Sequence, residues 1–457
     1  MNNAVITILS FIVTLGVLVI IHELGHYAVA RIVGVKILRF SVGFGRAIWV
    51  RRFGRDQTEW AIAAVPLGGF VKMLDEREGD VPAGERDRAF NRQGVGARIL
   101  IVLAGPLANF LLAIVLYWAL FLTGLPGMKP VLGPPARESA AAVAGFRDGE
   151  TIRAIGDEAA HTWNDVRWLL LKEAVRRGTV AVEVESSGGT SATRSLDLSG
   201  LTKDDLDRDF LGKLGIRPFR PNVPAELGRV LPGSAAERAG LAQGDHVLRV
   251  GDKDVATWFD FTQEVSANPG RTLAVVVDRQ GHRVELKATP DAVPAEGDAR
   301  IGRLGVEAGP RLKQEYDRMT TTVRYGPVEA IGRAVHKVYD LSLFSVKMLG
   351  RMVIGDVSWK NLSGPITIAD YAGQSAQLGW LAYLGFLALV SVSLGVLNLL
   401  PIPLLDGGHL VYYFAEIVKG SPVSERTMEI GQRLGLALLL GLTFFAFYND
   451  INRLFTG

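Results

Sequence analysis

Cysteine is absent from this chain of 457 residues. That absence excludes disulfides, thiolate metal sites and cysteine nucleophiles together, and it leaves any metal to histidine, aspartate and glutamate. It also makes the redox compartment unreadable from thiols. Histidine is scarce, at seven residues, and an excess of one charge is nearly lacking: 50 Lys and Arg against 47 Asp and Glu leave +3. So slight a balance gives no case for a nucleic-acid surface, and no nucleic acid is expected as a partner. What the chain has in quantity is apolar side chains, 48 % of the total, with a mean hydropathy of +0.22. Such a content is high for a soluble enzyme, and the length exceeds one ordinary core, so part of the chain is expected in lipid.

Four apolar stretches are long enough to cross a hydrocarbon layer of ~30 Å, which takes about 20 helical residues. They run roughly over residues 4–30, 99–122, 378–400 and 434–448, the last being the shortest. The first lacks a basic leader and a small-residue cleavage site, and is read as a retained helix rather than a signal peptide. Arg31, Lys36, Arg39, Arg46, Arg51 and Arg52 follow it closely, which places that side in the cytoplasm. Both termini and everything between the second and third helices then lie outside. Between Val35 and Met73 apolar residues alternate and glycines punctuate, the pattern of a hairpin or small sheet. Backbone of this kind can dip toward the bilayer only where protein or water satisfies it.

The polar centre of the chain contains an internal repeat. Ser139-Ala140-Ala141-Ala142, Ala144-Gly145-Phe146, Asp148-Gly149, Ile152, Ile155, Trp163 and Asp165 form one copy. Ser234-Ala235-Ala236, Ala239-Gly240-Leu241, Gly244-Asp245, Val247, Val250, Trp258 and Asp260 form the other. Both resemble the core signature of PDZ domains of the bacterial protease type. The fold expected is a multi-pass α-helical membrane protein with four transmembrane helices, a membrane-associated β-hairpin or sheet, and two inserted mixed α/β PDZ-like domains. Its order is spanning helix 1 over 1–30, the cytoplasmic-side or re-entrant β region over 31–97, and spanning helix 2 over 98–124. The PDZ-like domains take 125–222 and 223–309, and an amphipathic, membrane-surface region takes 310–375. Spanning helix 3 covers 376–400, a loop and cytoplasmic connection 401–430, and spanning helix 4 with the C-terminus 431–457. Within the amphipathic region Val328, Ile331, Val335, Val338 and Leu341 recur at helical spacing, so the helix lies on a membrane or packs on its neighbours.

The chemistry sits in the first helix. His22-Glu23-Leu24-Gly25-His26 is an H-E-x-x-H pattern, and residues four apart share a helix face, so both imidazoles can reach one ion with Glu23 beside them. Ionisable groups in an apolar helix are costly unless they pair, bind an ion or meet water. A catalytic zinc has three protein ligands and an open position, so a third ligand is needed from elsewhere. Asp406 stands after Pro401 and Pro403, which break a helix, and before Gly407-Gly408, which free the chain beyond. Spacing alone leaves it equally readable as a surface turn. Asn109, polar in the second helix, either bonds toward the metal or joins two helices.

The H-E-x-G-H run, the distal N-x-x-P-x-P-x-L-D-G-G from Asn398 to Gly408, the segment Gly105-Pro106-Leu107-Ala108-Asn109-Phe110 and the tandem repeat between them resemble the site-2 protease family. The resemblance spans nearly the whole chain. It implies an intramembrane zinc metalloprotease in which one Zn2+ is bound by His22, His26 and Asp406, with Glu23 as general acid and base. Asn398, Asn109, Pro401 and Pro403 are the candidates for holding substrate or supporting the ligands. Implied partners are the lipid bilayer, single-span membrane proteins such as an anti-sigma factor, remnant signal peptides, and peptide or protein segments at the PDZ-like domains, which would gate access. A membrane scaffold with structural zinc and a zinc transporter are the competing readings; the second predicts several polar sites along a path, and only one cluster is present.

Overall fold

The computed structural model describes residues 3–174, 178–202, 205, 209–294, 300–355 and 364–456. They form two compact units, Met1–Leu125 with Arg324–Asp450, and Pro126–Val323 with Ile451–Gly457.

Among the described residues, four helices are long and apolar enough to cross a membrane: Ala4–Val33, Val95–Thr123, Trp380–Asn398 and Glu425–Asn452. In lipid such helices gain little from apolar contact alone, so small residues and polar bonds hold them together. A Cβ on Gly25 would lie 2.2 Å from the Ala104 carbonyl, so the first and second helices meet backbone to backbone. On the other flank of the second helix, Gly395 of the third spanning helix receives the Phe110 ring at what would be 2.9 Å from a Cβ. The Tyr383 hydroxyl bonds the Ser10 carbonyl at 2.9 Å and lies 2.9 Å from Thr14 Oγ1, tying the third spanning helix to the first.

Two further helices pack on this group. Pro327–Val353 buries Ala330, Ala334, Val338 and Leu341, and Trp118 Nε1 donates to the Pro327 carbonyl at 3.0 Å. The packed alternative is therefore realised on that face, while Val328, Ile331, Val335 and Tyr339 remain outward. Residues 356–363 of the expected amphipathic region lie outside the described residues. Pro365–Leu378 leans on the first helix, where Gly373 meets Thr7. Its first turn leaves N–H groups that no helical carbonyl can take. Asp450 of the last helix accepts from the N–H groups of Gly364 and Ile366 at 2.9 Å and Thr367 at 3.2 Å, and from the Thr367 hydroxyl at 2.6 Å.

The region after the first helix is the expected sheet, built from strands Ile37–Phe53 and Thr58–Met73. Both strands bend. Residues 39–42 pair on one side with 72–69 and on the other with 59–62, and 49–53 pair with 62–58, so four runs lie side by side. Positive φ at Gly43 (+91°), Gly45 (+86°) and Gly68 (+114°) makes the bends possible. The Tyr27 ring meets Phe40 and Trp60 edge to face, with centroids 5.8 and 5.3 Å away, and those two rings lie 4.5 Å apart at a 30° tilt. The turn at the tip of the sheet is tied back by Asp56, which accepts from Arg88 at 2.7 Å and Arg31 at 3.2 Å; the Arg88 guanidinium holds that carboxyl below its usual range. The run 69–73 ends the order, next to the first helix.

In the second unit the repeat in sequence is a repeat in structure. Strands Glu158–Ala159, Thr151–Ile155, Thr179–Glu185 and Ser191–Asp197 form one sheet in that order. Lys253–Asp254, His246–Val250, Leu273–Arg279 and His282–Ala288 form another with the same connectivity. Each has its own buried core, against which Trp163 and Trp258 pack. Ser139 and Ser234 are helix N-caps, accepting from the N–H of Ala142 and Glu237. The recurring Asp165 and Asp260 close reciprocal caps with Thr162 and Thr257.

Candidate metal centre

His22 and His26 lie one turn apart on the first helix, with Nε2 atoms 3.2 Å from each other. Asp406 reaches them from nearly four hundred residues away: its Oδ2 is 3.2 Å from His22 Nε2 and 3.5 Å from His26 Nε2. Oδ2 is buried and receives no hydrogen bond among the described residues. Three atoms with lone pairs thus converge on one point, an arrangement costly without a cation. Their spacing suits one: bonds of about 2.0–2.1 Å in tetrahedral geometry set zinc ligands roughly 3.3 Å apart.

Local structure explains how each ligand is held. His26 is almost wholly buried and its Nδ1 lies 2.8 Å from the Ile101 carbonyl, an acceptor only, so Nδ1 carries the proton and Nε2 is bare. That carbonyl lies close to where Pro106, inside the second helix, removes an N–H and presses on the preceding turn. His22 Nδ1 lies 3.2 Å from the Asn109 amide. The bond from the third spanning helix goes to the Asn109 backbone instead, whose carbonyl receives the Ser391 hydroxyl at 2.7 Å.

Asp406 corrects an expectation. The glycines beyond it do not free the chain; Asp406 is the first residue of a helix, Asp406–Lys419. Gly407 and Gly408 are needed because a Cβ there would stand 2.2 Å from the Leu400 carbonyl and 2.4 Å from that of Ile402. Irregular backbone is confined to the residues before it, where Leu404 has a φ of +98°. The buried pair Arg98–Glu416, at 2.6 Å, fixes the far end of the same helix to the start of the second.

Gly105 is the residue that spacing did not single out. A Cβ there would lie 2.3 Å from His26 Nε2 and 2.8 Å from His22 Cε1, so only glycine lets the second helix pass the ligands. Retreat is blocked by the Gly25–Ala104 contact. Gly105→Ala is expected to strip zinc from the folded protein, overpacking of this kind costing about 1–3 kcal/mol. Gly96→Ala, in the same helix with nothing within 4 Å, should keep it. Metal content of the two purified variants checks this.

Glu23, His26, Asp406 and His409 line one cavity of about 610 Å³ that continues to the charged side chains of Lys72, Arg77, Glu78 and Glu425. Val71, in the end run of the sheet, lines the same cavity as Glu23. A Cβ on Gly69 would lie 3.3 Å from Glu23 Cγ, so the end run of the sheet passes directly beside this residue. His409 stands one turn beyond Asp406, and burial holds its imidazole below its usual value. The structure does not bring the remaining candidates to the cavity. Asn398 ends the third spanning helix half-buried, Pro401 is exposed, and Pro403 packs its carbonyl against Gly435 of the last helix.

The sequence profile of peptidase family M50 matches residues 10–442. The chain belongs to that family. Among its relatives, the regulator of sigma-E protease RseP of Escherichia coli is 43 % identical over 97 % of this chain and 98 % of its own length. Protease RseP of Yersinia pestis is 41 % identical over 97 % and 98 %. A putative zinc metalloprotease of Vibrio cholerae is 39 % identical over 99 % and 100 %. This M50 peptidase is a zinc metalloprotease that hydrolyses peptide bonds, with four helices among the described residues long and apolar enough to span a membrane.

Proposed function

We propose that this peptidase cleaves single-span membrane proteins at or within the bilayer, with zinc held by His22, His26 and Asp406 and with Glu23 moving the proton. The observation that carries the reading is the convergence of Asp406 on the histidine pair of an apolar helix. Bound zinc would supply Lewis acidity toward the scissile carbonyl and toward water, whose pKa it lowers to about 7. The Glu23 carboxylate accepts the proton of the attacking water and returns it to the leaving nitrogen. The cavity's charged flank gives water a route to Glu23.

A peptide bond inside a helix is shielded by its own hydrogen bonds, so the substrate must unwind. Run 69–73, ending the sheet beside Glu23, favours an extended substrate laid along it as an added strand. Basic residues between the first two helices favour an orientation with that side, and the metal centre, toward the cytoplasm of a bacterial inner membrane. Both termini and the two repeated modules then lie in the periplasm.

The modules' shared connectivity supports two PDZ-like domains, and their place between the two halves of the metal centre supports a gating role. The relatives named as regulators of sigma-E favour an anti-sigma factor, trimmed by an earlier protease, as the substrate class, with remnant signal peptides as a second. Reconstitution in liposomes with a single-span reporter tests this. Cleavage should cease when zinc is chelated, return on its readdition, and require a trimmed reporter. Removal of residues 127–309 should extend cleavage to the untrimmed one. Cleavage that survives chelation would contradict the function; an unchanged preference after the deletion would contradict the gating.

A further inference from the structure

The two ligand histidines differ in what holds the ring nitrogen turned away from the metal. His26 has a carbonyl there, which can only accept. His22 has the Asn109 side-chain amide, which offers an oxygen or an NH2 according to how it is turned. With the NH2 toward Nδ1 the imidazole proton must sit on Nε2, aimed at His26 Nε2 and Asp406 Oδ2, each 3.2 Å away. A cation cannot share that space. With Oδ1 toward Nδ1 the proton sits on Nδ1 and the Nε2 lone pair is bare.

We propose that Asn109 is a positioning residue whose amide oxygen fixes the tautomer of His22 and so makes it a zinc ligand; this rests on the ligand assignment above. Asn109 is 0 % exposed, so no solvent substitutes for the amide. The amide stands with Nδ2 nearer the imidazole and with Oδ1 buried and unbonded. Exchanging the two moves the missing partner from oxygen to nitrogen, so neither orientation wins on hydrogen-bond count and metal at Nε2 decides. The bond to the third spanning helix does not use the amide, since Ser391 bonds the Asn109 backbone carbonyl. Removing the side chain therefore leaves that bond in place and deletes only the partner of His22.

The test measures zinc affinity by chelator competition, and the melting temperature of the metal-free protein, for wild type, Asn109→Ala and Asn109→Asp in the full chain. Loss of the acceptor in Asn109→Ala should weaken zinc binding by about 10–100-fold, the usual effect of removing a partner that orients a ligand. Asn109→Asp, whose carboxylate can only accept, should bind within a few-fold of wild type. Cobalt substituted for zinc should show a shifted visible spectrum in Asn109→Ala and a near-native one in Asn109→Asp. Equal zinc affinity in Asn109→Ala and wild type overturns the proposal, as does an Asp variant that melts like the Ala variant yet binds zinc no better. Wild type that binds no zinc at all overturns the ligand assignment itself, and this inference with it.

Discussion

Glu23→Gln is expected to abolish cleavage while leaving the bound zinc in place. The side chain is not among the three converging ligand atoms, yet it lines the same cavity beside Gly69 at the edge of the sheet. Glutamine fills the same volume, so the helix crossing and the ligands should not move. What it lacks is the capacity to take a proton from water. Loss of a general acid and base costs roughly 10²–10⁴ in rate, and zinc content should stay at one per chain. The scaffold reading predicts the opposite, with binding of membrane partners unaffected by the exchange.

Asp406→Ala should show the complementary loss, in which zinc goes first and activity follows. Removing one of three ligands costs more than the ~10–100-fold that supporting residues cost, and it leaves only the two imidazole nitrogens, 3.2 Å apart, to hold zinc. His22→Ala should match it. Fold should be retained, because the helix that begins at Asp406 is held elsewhere, through Gly407 and Gly408 against the preceding loop and through Arg98–Glu416. Far-ultraviolet circular dichroism beside metal analysis separates a lost ligand from a lost fold.

The amount legible in the sequence differs from residue to residue for physical reasons. His22 and His26 announce themselves because a four-residue spacing is a local property of a helix. Asp406 is not local. Its partner lies in another helix, and the flanking prolines and glycines read as a turn, because the close backbone approach that turns Gly407 and Gly408 into helix is set by tertiary packing. Only likeness to a family supplied it beforehand. The last helix was read short because Glu425, Arg426, Glu429 and Arg433 interrupt its apolar run, though helix continues through them. The doubled pairing of residues 39–42 was invisible, since strand period gives a face and not a count of neighbours. The repeated tryptophans pack on the two cores, and the aspartates recur because they close caps with Thr162 and Thr257, a role that a pattern of identities does not reveal. Gly105 had a signal, its place beside Pro106, but only the crossing of two helices shows what a side chain there would strike.

Zinc-edge X-ray absorption of the purified protein in membrane mimetic tests the central claim most directly. The predicted spectrum is one zinc per chain with two imidazole nitrogens and a carboxylate oxygen at about 2.0–2.2 Å, changing in Asp406→Ala and unchanged in Glu23→Gln. A protein without zinc, or a zinc environment indifferent to Asp406, would contradict it.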